Sequence, residues 1–405
     1  MDEKDTTMNF NFRNLLIIFC LMGSISLGAQ QIKSTCSCEL LENNETNDKL
    51  VIELANSIEN SFAASSIDAF NQNFDTEAFL DLIFKDLDVE LEDAYISGVK
   101  AGIRDASSSL AEKILAEIDN GAYYNFINFH YNIIEKAYYF RFRIYSDETG
   151  VNYHDYKVCT DGEKVKINDV YVFLSGEHMS ETLHRLLKVS VPELQGETNA
   201  RDMAIFQIVK AKRILEQGNA KRAFKIVDAI EGPMANEKFF LLIKAIMASA
   251  YDETIYKNIL EDFAKLYPDD PTLYLKMIDY YFLKENYKMV HVYLDKLIFE
   301  TGDDFLNLMK AHAYLLQENF VKAETHYNYI KVNYPTNFSA YLGEMISLSY
   351  QNRFEDTLSI AQYLVDEGYD KEELTLFFEE KEPDGSNQLE AFVESEIYKA
   401  WKSKP

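Results

Sequence analysis

The residues of this chain most able to do chemistry are its seven histidines and four cysteines, and they are scattered rather than grouped. His154 stands in an alternating run, in phase with Tyr156 and Val158, so it faces whatever those side chains face. An inward imidazole with an acid in reach makes a proton-transfer site; a lone one among aromatics is a satisfied core or rim group. His154 is therefore the one candidate pocket residue of the N-terminal half. His178 and His184 are six apart, a spacing that does not share a helical face for a metal, and both are expected at the surface. No H-E-x-x-H, G-x-S-x-G, phosphate loop or dinucleotide fingerprint occurs, so the sequence offers no catalytic residue, no cofactor site and no metal centre.

Cysteine usage depends on compartment. Leu15 to Leu27 is an unbroken apolar run preceded by Arg13 and followed by Gly28 and Ala29, the pattern of a secretory signal peptide over 1–29. The run is short of the ~20 residues that span a bilayer. A secreted or periplasmic protein, of bacterial origin, is expected, with no integral membrane segment after cleavage. Cys20 falls inside the signal, leaving Cys36, Cys38 and Cys159, an odd count. Cys36 and Cys38 can each reach Cys159, tie the tail to another molecule, or serve as a loosely used pair in a flexible leader over 30–47. With 40 basic against 67 acidic residues, the charge of -27 repels nucleic-acid phosphates and anionic lipid.

The elements that position these residues change type along the chain. Val51, Leu54, Ala55, Ile58 and Phe62 recur at helical spacing behind Asp48, which is placed to cap them; Asp75 opens a second helix, and a third runs from about Glu90 to Ile118. The period then becomes two. Tyr138, Phe140, Phe142 and Ile144 alternate with Tyr139, Arg141, Arg143 and Tyr145, which predicts an antiparallel strand with the arginines on a solvated face. Further strands follow, with turns at Glu148-Thr149-Gly150 and Asp161-Gly162. A connecting helix from Gly176 leads to a polar stretch ending at Asn199, where a domain boundary is expected.

Beyond it a motif returns. Glu285-Asn286-Tyr287, Glu318-Asn319-Phe320 and Asn352-Arg353-Phe354 precede Met289, Ala323 and Thr357, which fall at intervals of 34. With Ala311, Tyr314, Tyr327 and Pro335, this resembles the tetratricopeptide repeat, which implies paired antiparallel helices stacked into a solenoid over about 200–371. Five units are expected, the second (237–270) degenerate. A last helix, Asn387 to Trp401 within 372–405, is expected to cap the stack. Residues 48–178 are similar to the NTF2-like (SnoaL-like) superfamily through Phe74-Asp75-Thr76-Glu77-Ala78-Phe79-Leu80 and Asp161-Gly162-Glu163-Lys164-Val165-Lys166, which implies an α+β cone used as a small-molecule pocket or a dimerisation module.

The expected fold is thus mostly α with one α+β domain: an antiparallel-sheet cone, a connector over 179–199 and an α-solenoid. The expected function is a non-enzymatic exported scaffold holding a protein or peptide in the concave groove of the repeats. The resemblance puts Tyr274, Asp279, Tyr281, Leu308, His312, Leu315 and Ile346 on or near the groove wall. The alternative is a ligand or enzymatic site in the cone, with the repeats as a recruiting arm; homodimerisation through the N-terminal domain is a further possibility.

Overall fold

A computed structural model describes residues 36–85, 93–146, 150–190, 200–268, 270–382 and 385–404. The signal segment, the leader up to residue 35, the start of the third helix at Glu90, the Glu148-Thr149 turn and the boundary before residue 200 lie outside the described residues. The chain divides into two compact units between Leu275 and Lys276.

In the first unit, α1 (Glu45–Ala63), α2 (Asp68–Asn73), α3 (Thr76–Phe84) and α4 (Asp93–Asp119) precede five strands: β1 (Tyr123–Asn132), β2 (Ala137–Ser146), β3 (Gly150–Thr160), β4 (Val165–Val172) and β5 (Glu177–His178). The strands form one antiparallel sheet in sequence order, a meander. Helix α5 (Met179–Ser190) follows it. The cap of α1 is Asn44, whose side chain accepts from the amides of Thr46 and Asn47; Asp48 instead accepts from Tyr138 Oη at 2.7 Å. Asp75 caps α3 as its position predicts.

One face of the sheet meets the helices. Phe140, Phe142, Tyr156 and Val158 share a core with Val51, Ile58, Phe62, Phe70 and Phe79. Phe62 meets Tyr124 edge-on at 5.4 Å and Phe70 meets Tyr156 at 5.7 Å. Each such ring contributes about 1.5–3 kcal/mol by leaving water. Residues from Cys36 onward are not a loose leader. Strand β3 outruns β2, leaving the Thr160 edge open, and Ser37 fills it with reciprocal backbone bonds of 2.9 and 3.1 Å. That pairing brings the segment beside the end of β3, where Cys36 and Cys159 form a disulfide; Cys38 is free and half-buried.

The opposite face corrects the sequence reading. Arg141 and Arg143 are 5% and 0% exposed. Alternation places them opposite Phe140 and Phe142, but that second face is covered too. Arg141 makes two 2.7 Å bonds to Asp155 and lies 4.8 Å from the Phe173 ring; Arg143 donates to Asn125 at 2.8 Å. Helices of the array that belong to this unit also reach the sheet. Tyr171 Oη is 3.2 Å from Thr272 Oγ1, and the Arg185 guanidinium lies 4.2 Å over Phe239.

The helical array comprises the hairpins α6 (Ala200–Glu216) with α7 (Ala220–Asp228), α8 (Lys238–Ser249) with α9 (Glu253–Leu266), α10 (Pro271–Leu283) with α11 (Tyr287–Thr301), α12 (Asn307–Leu316) with α13 (Phe320–Asn333), and α14 (Phe338–Tyr350) with α15 (Phe354–Asp366). In every hairpin three residues join the helices. In four of them the middle one is left-handed: Gly218, Glu285, Glu318 and Asn352. The next amide then reaches back five residues, as Asn286 does to Tyr281 and Asn319 to Tyr314, both at 2.9 Å. Asn219, Asn286 and Asn319 go on to cap the second helix. The degenerate unit differs here, with no left-handed residue between α8 and α9.

Ala323 is fully buried, as is Tyr327. A Cβ on Gly343 would stand 2.2 Å from the Tyr327 ring, so only glycine admits this packing. The expected last helix is broken in two, α17 (Glu390–Val393) and α18 (Glu396–Lys402), because Ser395 caps a new start; α16 (Lys371–Glu379) precedes them. Leu389, Phe392, Tyr398 and Trp401 close the core formed by Tyr341, Met345, Ile360 and Leu364.

Candidate functional site

The proposed groove residues separate on burial. Leu308 is fully enclosed and Ile346 is 7% exposed within the core of α14 and α15, so neither offers a surface. The physical reason is phase. Each residue along a helix turns the side chain by about 100°, and these two lie on the side that packs against neighbouring helices. Tyr274, in the first unit, is half-buried. In the second unit Asp279, Tyr281, His312 and Leu315 are half-buried. Tyr281 stacks on Tyr293 with centroids 5.5 Å apart, and His312 lies 5.6 Å from Tyr327. Burial pushes the Asp279 carboxyl up to about 6, against the opposing pull of Lys276 one turn away.

A row that spacing alone did not reveal lies on α12. Tyr314 is stacked between His291 of α11, at 4.0 Å, and His326 of α13, at 5.4 Å, with Lys322 Nζ 5.0 Å from its ring. His326 Nδ1 donates to Asn307 Oδ1 at 2.9 Å, and Gln317 Nε2 donates to His291 Nε2 at 3.0 Å. Burial, with the nearby positive charges of His326 and Lys310, pushes His291 down to about 4. His326 is lowered for similar reasons. Both shifts favour the neutral imidazole, so the positive charge beside the stack is that of the lysines Lys310 and Lys322.

In the sheet domain His154 is 5% exposed, on the same face as Phe142, its partner across the strands, and Tyr156. Its Nδ1 is 3.1 Å from Tyr124 Oη, which in turn is hydrogen-bonded to Tyr156 Oη. Burial lowers His154 to about 4 and raises both phenols. A neutral histidine partnered by a tyrosine can orient a polar group.

The outer face carries a second polar chain. Asp169 accepts from Ser180 Oγ at 2.5 Å and lies 3.5 Å from His178 Nδ1; His178 Nε2 is 3.5 Å from Tyr139 Oη, which donates to Glu135 at 2.7 Å, and Lys157 reaches the same carboxylate at 2.6 Å. His178 is half-buried, and so is His184, whose Nδ1 donates to the Ile83 carbonyl at 2.8 Å; neither is the free surface group that the sequence led one to expect. The readable signal for this face was the Arg141–Asp155 pairing in register across β2 and β3.

No family model matches the sequence, and no curated protein or solved structure matches it. Among the described residues no group of three or more histidine, cysteine or acidic side chains is placed to hold a metal ion, and no helix is long and apolar enough to cross a membrane.

Proposed function

We propose that this chain is a non-enzymatic exported scaffold that binds a protein or peptide segment on its tetratricopeptide-like hairpins, with the NTF2-like cone as a companion module. The observation that carries this reading is the array itself: repeated hairpins, each joined by three residues, which leave aromatic side chains such as Tyr281 half-buried along the helices. Half-buried tyrosines offer amphipathic contact area at low entropic cost. The disulfide between Cys36 and Cys159 supports export, since such bonds persist in oxidising compartments. The partnering of His154 by Tyr124 supports the non-catalytic part of the reading.

The test combines Tyr281→Ala with His312→Ala in the full chain, followed by crosslinking in the native cell. Loss of the captured partner with an unchanged melting curve is the expected outcome. Retained capture removes the groove as the binding surface.

A further inference from the structure

At the C-terminal end of the array an aromatic surface remains uncovered. Tyr363, Tyr369 and Phe377 are each 42–43% exposed, and Leu376 is 72% exposed. The three aromatic rings rest on rings beneath them: Phe338 lies 5.6 Å from Tyr369 and 5.5 Å from Phe377, and Tyr341 stacks on Tyr363 at 5.5 Å. Phe338 and Tyr341 stand three apart on α14, hence on one helical face. The patch is continuous across α14, α15 and α16.

Its surroundings are charged. From Asp366 to Glu380 there are seven acidic residues and one lysine. That lysine is committed elsewhere, with Lys371 Nζ bound to the carbonyls of Trp401 and Lys404 at 2.8 and 2.6 Å. Glu379 is held by Lys402 at 2.6 Å. Asp370 caps α16, and Glu372 and Glu373 suit its first turn. Local structure does not account in this way for Glu367 and Glu380, both exposed beside the patch. Tyr341 feels the negative charge of Glu367, which places this carboxylate near the rings.

We infer that this surface docks a lysine- or arginine-bearing segment of a protein partner. Long basic side chains cover apolar rings with their stems and carry their heads to a carboxylate, and a cation over a tyrosine face is itself attracted. The molecule already contains that arrangement: Lys331 lies 5.5 Å over the Tyr341 ring while paired with Glu344. A second copy of the chain, carrying -27, is repelled from such a surface. The inference rests on the scaffold reading and assigns it a second contact surface with a charge sign.

The test uses the full chain, a fluorescein-labelled peptide of lysine and leucine, and the same peptide with glutamate in place of lysine, read by anisotropy at low and moderate salt. The lysine peptide is expected to bind and the glutamate peptide not. Tyr369→Ser with Phe377→Ser, and separately Glu367→Gln with Glu380→Gln, should each weaken binding by about tenfold, equivalent to ~1.4 kcal/mol. The carboxamide pair changes only exposed groups, so it remains decisive if the serine pair disturbs packing. Wild-type binding by the carboxamide pair, or equal binding of the two peptides, overturns the inference. Loss of the lysine peptide in Tyr281→Ala/His312→Ala, with retention in both patch variants, also overturns it while leaving the scaffold reading standing.

Discussion

The sheet domain and the later hairpins solve the same problem, burying aromatic side chains, through contacts of opposite range. In the sheet domain the ties are distant in sequence. The disulfide joins residues 123 apart, Asp48 meets Tyr138 across 90, and Phe74 bridges Ile167. In the hairpins from α12 to α15 each helix packs on its successor, and the recurring element is a local three-residue turn. Long-range closure makes a domain lose structure as one unit, whereas neighbour-only contacts allow graded loss. Lesions in the first region should therefore be global, and lesions in the second local.

The largest expected effect is on the disulfide. Closing a loop of 123 residues restricts the unfolded chain by roughly 5 kcal/mol in the chain-entropy picture, so Cys159→Ser or reduction should lower the melting transition of the sheet domain and leave that of the α12–α15 hairpins in place. A single transition that shifts as a whole would erase the contrast. Next is Arg141→Met, which strands Asp155 and should cost about 3–5 kcal/mol; adding Asp155→Leu should recover much of it, because the uncompensated charge is then gone. Failure of the double variant to recover would show that the bidentate geometry itself holds β2 to β3.

In the array, Ala323→Leu and Gly343→Ala each force atoms into the close packing around the first helices of neighbouring hairpins. A loss of ~1–3 kcal/mol is expected, read by hydrogen exchange as faster opening confined to the second unit. Uniform acceleration over the whole chain would contradict the local character assigned to this region. The smallest effect is acidic. His154 is pushed down to about 4 from its ordinary 6.5, so the unfolded chain takes up the proton first. Its contribution is fully present above 6.5 and is lost as pH falls towards 4, which by pH 5 amounts to about 2 kcal/mol at 1.36 kcal/mol per pKa unit. His154→Gln should flatten the fall in melting temperature between pH 7 and pH 5.

Much of the fold is legible in the sequence because two periodicities and the caps act locally. Phe140 and Phe142 alternate into the core, Asp75 caps its helix, and Asn286 and Asn319 mark their hairpins. What remained hidden depends on a third layer. Alternation separates Arg141 from Phe140 but is silent on whether the arginine's face meets water or another element. That the Cys36 segment reaches Cys159 at all follows from Ser37 lying beside Thr160, a pairing that local pattern does not contain. Among the groove candidates, repeat spacing does not fix the phase of each side chain about its helix, so Leu308 and Ile346 are buried in the core while Tyr281 and His312 keep some surface.

The uniform turn has a consequence for how such a chain can change in length. In the hairpins at Gly218, Glu285 and Glu318 the left-handed residue is followed at once by an asparagine that supplies both the amide reaching five residues back and the cap of the next helix, so inserting or deleting a single residue there breaks all three at once. The links between hairpins vary in length and do not repeat this combination. They run to nine residues from α7 to α8, five from α11 to α12 and four from α13 to α14. Insertions and deletions in the lineage of this protein should therefore accumulate in those links and spare the turns at Gly218, Glu285, Glu318 and Asn352.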